Sequence, residues 1–334
     1  MINRRGVAGL GALLLAGALA PYLAGCGGYT ETLRNDTWTF DGRSWTHQHV
    51  SLSPPARRDA SMAYHAATET ILLFGGIPEP AGAGHPVLAD TWTWNGSAWA
   101  ERHVTTGPSG RTDASMAGDP VHRTVVLFGG NDGNTELDDT WIWNGSAWSR
   151  LTPANHPSAR ANAAMAYDER HGVVVLFGGA THTGDRFSPT GDTWLWDGAK
   201  WNRMTPPSSP SARIGATMTY DPGSRSVILF GGATVSGRPQ RGLFDTWSWD
   251  GEGWTELQPS MSPPGRSNTT AASLADGVLL FGGGADNGGI LSDTWVWNGD
   301  NWAELHLPSS PPGRWGHRMA FDAGRRTVIL FGGH

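Results

Sequence analysis

Arginine and aspartate recur in step along the 334-residue chain, and they are the residues most able to do chemistry. Six guanidinium groups gathered on one surface could bind a carboxylate or a sulfated sugar. Each arginine is matched by an aspartate in the same repeat, however, so we favour six structural ion pairs over a ligand-binding ring. The two sets are Arg57, Arg111, Arg160, Arg213, Arg266 and Arg314, and Asp36, Asp90, Asp139, Asp192, Asp245 and Asp293.

Tryptophan is the second residue type with a possible chemical role, because its ring can stack on a sugar. The chain holds 18 tryptophans, and all but Trp315 fall at repeat positions, which is typical of core residues. Trp315 directly follows Arg314, at a position where the other repeats have smaller or unrelated residues. We therefore single out Trp315 as a candidate ligand contact.

The residues that a metal or cofactor site requires are missing from the pattern. Cys26 is the single cysteine, which excludes a disulfide framework, a cysteine-ligated zinc ion and an iron–sulfur cluster. The 12 histidines lack His-Glu-x-x-His spacing, so we predict neither a metal nor a cofactor. The formal net charge of −6 and the absence of basic runs argue against binding to nucleic acid.

The elements that would position these residues are short strands in a repeat of 48–54 residues. Each repeat contains a segment of small residues, an apolar run ending in Phe-Gly-Gly, and an alternating segment that begins with Asp-Thr-Trp. Asn-Gly or Asp-Gly follows the alternating segment and is a strong signal for a tight hairpin, after which a fourth segment begins at the next tryptophan. The pattern predicts four antiparallel strands per repeat and an all-β fold.

Repeats of this length, with an apolar run into Gly-Gly and two spaced aromatic residues, resemble the kelch repeat. The resemblance covers residues 35–334 and implies a β-propeller with one blade per repeat. The chain opens with the third and fourth strands of one blade, from Asp36 to His49, and it ends after a first and second strand, at His334. Five whole units and these two halves predict six blades, the last closed by strands from both termini.

Loop lengths indicate where a ligand would bind. The connection between the second and third strands varies from 11 to 16 residues, counted from Phe to Asp, whereas the other intervals are nearly constant. These loops, at 77–89, 131–138, 180–191, 233–244 and 284–292, share one face of the propeller with the repeat arginines. Because variable loops on a rigid scaffold commonly carry specificity, we predict a binding site around the channel mouth on this variable-loop face. The candidate contacts are His182, Asp185, Arg186, Phe187, Arg238, Arg241, Phe244 and Trp315.

Residues 1–25 have the layout of a signal peptide, with Arg4 and Arg5 before an apolar stretch and small residues before Cys26. The stretch Leu23-Ala24-Gly25-Cys26 resembles the lipobox of bacterial lipoproteins, which implies removal of residues 1–25 and lipidation of Cys26. Residues 26–34 would then be a short tether and residues 35–334 the propeller. We expect an exported protein, anchored by lipid on the outer side of the cytoplasmic membrane or at the cell surface.

Three functions remain open at this point, one of them a purely structural partner in an envelope complex. We favour a monomeric module that binds a polysaccharide or a protein at the cell envelope, because no cluster of base, acid and nucleophile stands outside the repeat. The alternative, which enzymatic kelch relatives imply, is a carbohydrate-active enzyme of the sugar mutarotase or epimerase type on the same propeller. We predict no catalytic residues.

Overall fold

The computed structural model describes residues 32–78, 87–183, 186–234, 242–285 and 288–334, with the backbone alone at 182–183 and 186–187. These residues form six antiparallel sheets, each built on four strands, and the predicted six-bladed all-β propeller is confirmed. Over the same ranges, no helix is long and apolar enough to cross a membrane.

Blades 1 to 5 follow one another along the chain, and within each blade the strands pair in chain order. Blade 1 comprises Ser61–His65, Thr70–Phe74, Thr91–Trp94 and Trp99–Glu101. Blade 2 comprises Ser115–Asp119, Thr124–Phe128, Thr140–Trp143 and Trp148–Leu151. Blade 3 comprises Ala164–Asp168, Val173–Phe177, Thr193–Trp196 and Trp201–Met204. Blade 4 comprises Thr217–Asp221, Ser226–Phe230, Thr246–Trp249 and Trp254–Leu257. Blade 5 comprises Thr270–Leu274, Gly277–Ala285, Ile290–Trp297 and Trp302–Leu305.

Blade 6 joins the two ends of the chain. Its first and second strands are Arg318–Asp322 and Thr327–Phe331, and its third and fourth are Thr37–Phe40 and Trp45–Gln48. Thr37 stands opposite Phe331 and Phe40 opposite Val328 in an antiparallel ladder. The predicted closure by strands from both termini is therefore confirmed, and it pairs the strands that each half-unit would otherwise leave unpaired.

Some of the variable loops are more regular than their lengths suggest. In blade 1, Arg57–Arg58 pairs with Ile77–Pro78, and in blade 3 the segments Ala180–Thr183 and Arg186–Pro189 form a hairpin of their own. In blade 5 the second and third strands lengthen, and Arg266–Ser267 pairs with the end of the second. These short ladders satisfy backbone groups at the rim, which would otherwise need water.

A closed ring of tryptophan contacts joins neighbouring blades. In blade 2, Trp148 donates its indole N–H to Thr91 Oγ1 of blade 1 at 3.0 Å, and its ring lies 5.4 Å from that of Phe74, centroid to centroid. The same two contacts recur at all six blade boundaries, through Trp45, Trp99, Trp148, Trp201, Trp254 and Trp302. Of the 17 repeat tryptophans, only Trp38 is half-buried and the others are buried.

Candidate binding face at the channel mouth

Each repeat arginine forms an ion pair with the repeat aspartate of its own blade. The nitrogen–oxygen separations are 2.6–2.7 Å, and the arginine side chains are at most 1% exposed. The pairs are Arg57–Asp90, Arg111–Asp139, Arg160–Asp192, Arg213–Asp245, Arg266–Asp293 and Arg314–Asp36. Two nitrogens of each guanidinium face two oxygens of the carboxylate, which is the strongest geometry for such a pair.

The arginines also connect one blade to the next. The Arg160 side chain donates to Gly178 O and Asp192 in blade 3, while the Arg160 backbone carbonyl accepts from Gly130 N in blade 2 at 2.9 Å. Burial raises the pKa of Asp192, but the hydrogen bonds and charge of Arg160 outweigh burial and lower it below its ordinary value. A ligand could reach this guanidinium only by displacing these partners.

A second ring surrounds the axis two residues after each arginine. These residues, which we call the mouth ring, all have φ between 52° and 66°: Asp59, Asp113, Asn162, Gly215, Asn268 and Gly316. The N–H of each ring member donates to the carbonyl of the member in the preceding blade, at 2.8–3.3 Å, so that six hydrogen bonds close on themselves. A side chain at Gly316 would force Asp59 to move, since a Cβ there would lie 2.6 Å from Asp59 Oδ1.

The mouth ring separates each repeat arginine from the first strand of its blade. The repeat arginines lie four residues before these strands, as Arg160 does before Ala164. The left-handed residue between them interrupts the extended backbone. The sequence carries a local signal for this ring. The second residue after every repeat arginine is Asp, Asn or Gly, the types that tolerate a left-handed conformation.

Charged side chains gather on one side of the mouth, in what we call the charged sector: Arg58, Asp59, Asp113 and Arg318. Arg58 pairs with its neighbour Asp59, and Arg318 Nη2 of blade 6 lies 3.6 Å from Asp113 Oδ1 of blade 2. Burial raises the pKa of Asp113 to about 7, with a further contribution from the charge of Asp59, and the charges of Arg318 and Arg58 act in the opposite direction. The carboxyl group of Asp113 therefore titrates near neutral pH.

A cavity of about 130 Å³ lies on the axis beneath the mouth ring. The beginning of the first strand of every blade contributes to its wall, together with Asp113, Asn162, Gly215, Asn268 and Arg318. At the position of Arg318 the other five blades have serine, threonine or alanine. Among the residues described, no group of three or more His, Cys, Asp or Glu side chains could hold a metal ion.

Trp315 lies at the rim of the charged sector. Its backbone N–H and carbonyl both bond to His334, at 3.3 and 3.0 Å, and its ring is 5.4 Å from the His334 ring. The Arg58 guanidinium lies 5.1 Å from the centroid of the indole, a cation–π distance. The side chain is half-buried, so one part of the indole remains open to solvent.

Most of the other predicted ligand contacts lie outside the part of the chain that the structure describes. Phe244 is 65% exposed on the variable-loop face. Cys26, Asp185, Arg238 and Arg241 lie outside the described residues, and so do the side chains of His182, Arg186 and Phe187. For these residues the assignment stays a prediction.

The strand order and the axial cavity define the class of protein, a six-bladed propeller with a polar channel mouth. Comparison with protein families adds the particular family: the KLHDC2/KLHL20/DRC7 Kelch-repeats domain matches residues 16–197 and 146–333. The chain therefore belongs to the kelch-repeat family, whose propeller is a general protein-interaction fold. No curated protein matches the chain.

Proposed function

We propose that this protein is an exported, lipid-anchored kelch propeller that binds a polysaccharide or a protein at the cell envelope through its variable-loop face. The observation that carries the proposal is the charged sector. Four charged side chains that the repeat does not require, Arg58, Asp59, Asp113 and Arg318, converge beside one axial cavity. These charges are not needed to close the mouth ring, because blades 3 to 6 form the same backbone hydrogen bonds with asparagine or glycine at the ring position. A structural role alone therefore does not explain why the four charged side chains lie together on one side.

Two further features support a ligand on this face and not on the opposite one. The repeat arginines are fully engaged in ion pairs, so the residues free to vary are those next to them at the mouth. Phe244 and Trp315 add aromatic surface to the same face, and aromatic side chains are enriched where proteins bind partners. The opposite face carries the Asn-Gly and Asp-Gly turns and the short connections between first and second strands.

The location at the envelope rests on the sequence of residues 1–26, which lie outside the described part of the chain. Cys26 is ten residues before Asp36, and a stretched segment of that length reaches about 35 Å. A lipid on Cys26 would therefore hold the propeller close to the membrane.

Binding to a glycan array and to a peptide library would test the proposal, with the chain lacking residues 1–25 and carrying Cys26→Ser. We expect Trp315→Ala and Phe244→Ala to weaken binding of whichever ligand is found, with little effect on thermal stability. Ser97→Ala, in an exposed turn of the opposite face, is the matched control. Loss of binding in the control, with none in the two face variants, would place the site on the other side.

A second function, sugar mutarotation or epimerisation, is favoured by one observation. The pKa of Asp113 is raised to about 7 by burial, then by the charge of Asp59, and this range suits a general acid or base. A mutarotase would accelerate exchange between the α and β anomers of a free hexose, and an epimerase would convert the hexose into another sugar. Exchange spectroscopy by NMR measures the first and new sugar signals report the second, so the absence of both in the presence of the protein would remove this candidate.

A further inference from the structure

The channel mouth departs from six-fold symmetry in a way that suits one kind of ligand. In the mouth ring, aspartate occupies blades 1 and 2, asparagine blades 3 and 5, and glycine blades 4 and 6. Arg318 of blade 6 reaches past blade 1 toward Asp113 of blade 2. One side of the cavity is therefore charged, and the other offers the amides of Asn162 and Asn268 and one bare glycine, Gly215.

Asp113 has hydrogen-bonding capacity that its neighbours do not fill. The residue is 8% exposed, and the nearest guanidinium nitrogen lies 3.6 Å away, beyond the distance of a good hydrogen bond. Thr112 Oγ1 donates to Asp113 Oδ2 at 3.2 Å, but it is also 3.2 Å from the Asp59 carbonyl oxygen. A carboxylate can accept about four hydrogen bonds, so a donor that enters the cavity would find a strong acceptor.

The size and the charge of the cavity narrow the choice of ligand. Its volume of about 130 Å³ is close to that of a cavity of roughly 150 Å³ that takes a benzene ring, so it matches the six-membered ring of one sugar, whose hydroxyl substituents would extend into the open mouth. Asp113 and Arg318 are the two ionisable side chains of its lining, and their charges are opposite when Asp113 is ionised; the pair of Arg58 and Asp59 lies beside them. A charged ligand would leave an uncompensated charge in a buried site, which is costly, whereas hydroxyl groups can both donate and accept.

We infer that the cavity binds one neutral pyranose ring, the terminal or single sugar of a glycan, with Asp113 accepting from hydroxyl groups and Arg318, Asn162 and Asn268 donating to them. The inference rests on the proposed function, because it names the ligand class of the same face. These four side chains of the cavity wall then supply acceptors and donors for the hydroxyl groups of a sugar, each of which can both donate and accept.

Binding should depend on pH through Asp113. Asp59, Arg58, Arg318 and Thr112 are the polar groups that act on its carboxyl, and its pKa is about 7 because of burial first. The ionised carboxylate accepts more hydroxyl bonds than the protonated acid, so the affinity for a neutral sugar should rise from about pH 6 to about pH 8. Asp113→Asn should remove this dependence.

The test uses the full-length protein in a detergent without a sugar headgroup. Methyl glycosides of glucose, galactose and mannose are compared with glucuronate and glucosamine by saturation-transfer NMR and calorimetry. We expect at least one neutral glycoside to bind, and Asp113→Asn and Arg318→Gln to weaken it about tenfold or more, as expected for a hydrogen bond to a charged group. Arg150→Gln on an outer strand and Asp276→Asn in a turn of the opposite face are matched controls that should change nothing.

Each outcome of this experiment decides the inference. Tighter binding of glucuronate or glucosamine than of the neutral glycosides would overturn it, as would full affinity in both mouth variants. If Asp113→Asn does not fold, the pH titration of the unmodified protein decides, and an affinity that is flat from about pH 6 to about pH 8 counts against the inference. If a ligand binds and is lost in Trp315→Ala but not in the mouth variants, the inference fails while the proposed function stands.

Discussion

Removing Arg160 tests the view that the repeat ion pairs are structural. The Arg160 side chain is 1% exposed and donates to Asp192 Oδ1 at 2.6 Å, to Asp192 Oδ2 at 3.0 Å and to Gly178 O at 3.0 Å. Arg160→Ala leaves Asp192 with the indole N–H of Trp194, at 2.7 Å, as its remaining side-chain donor among these groups. The carboxylate then keeps its charge in a place that water reaches poorly.

The loss of stability expected for Arg160→Ala depends on how exposed Asp192 is. Breaking a buried pair by removing one member costs about 3–5 kcal/mol. Because the Asp192 side chain is 17% exposed, water replaces part of the lost interaction, and we expect the lower end, about 3 kcal/mol. At roughly 2 °C per kcal/mol for a chain of this size, the melting temperature should fall by about 6 °C.

The pH dependence supplies a second check with a defined sign. The pKa of Asp192 is below its ordinary value of 3.8, since Arg160 outweighs the opposing effect of burial. Its contribution to stability is therefore complete above pH 3.8 and is lost as the pH falls through the folded-state pKa. The difference in melting temperature between Arg160→Ala and the unmodified protein should shrink in that acid range.

Differential scanning calorimetry measures both effects, with Arg150→Ala as the control because Arg150 is exposed on the fourth strand of blade 2. A double-mutant cycle with Asp192→Asn isolates the pair from the packing of the arginine stem. An unchanged melting temperature in Arg160→Ala, together with loss of ligand binding, would refute the structural reading and assign the arginine to the site.

Three further predictions concern closure, blade contacts and the anchor. Deleting residues 32–50 removes two strands of blade 6 and exposes the edge of Thr327–Phe331, so we expect aggregation in size-exclusion chromatography; a monomer with an unchanged melt would contradict the closure. Trp148→Phe keeps a six-membered aromatic ring but removes the pyrrole part of the indole and its hydrogen bond to the buried Thr91 hydroxyl. The unfolding free energy in urea titrations should fall by about 1 kcal/mol for the lost bond and further for the cavity, whereas an unchanged value would argue against the bond. Cys26→Ser should release the protein from the membrane fraction of the producing cells, and retention there would rule out the lipid anchor.

The fold could be predicted from the sequence because each repeat carries its own local signals. Asn-Gly and Asp-Gly fix the hairpin between the third and fourth strands, and the side chain of the Asn or Asp accepts from the turn backbone, as Asn95 does from Ser97 and Ala98. The half-units at the two ends predicted the closure, because a propeller leaves no strand unpaired. None of this required knowledge of contacts between distant residues.

The bonds between blades could not be predicted in the same way. The spacing places a threonine and a tryptophan in every repeat, but it does not say that Trp148 would bond to Thr91 of the preceding blade and not to a residue of its own. That choice depends on the angle between blades and on which indole edge faces the boundary. Both are properties of the assembled ring and not of one repeat.

The residues of the channel mouth could be predicted from the sequence only in part. Counting from the repeat arginine, the sequence does align Asp59 with Asp113 and sets Arg318 apart from its serine and threonine counterparts. It does not show that Arg318 extends across the mouth to within 3.6 Å of Asp113, because that contact joins blades 6 and 2, which are not neighbours. Positions that the repeat keeps constant form rings of bonds and hold the blades together. Neighbouring positions, whose residue type differs between repeats, point toward the central axis. There the six blades meet, so a substitution in one blade faces all the others. In this architecture a ligand site can change at residues such as Arg318 without altering the bonds that close the ring.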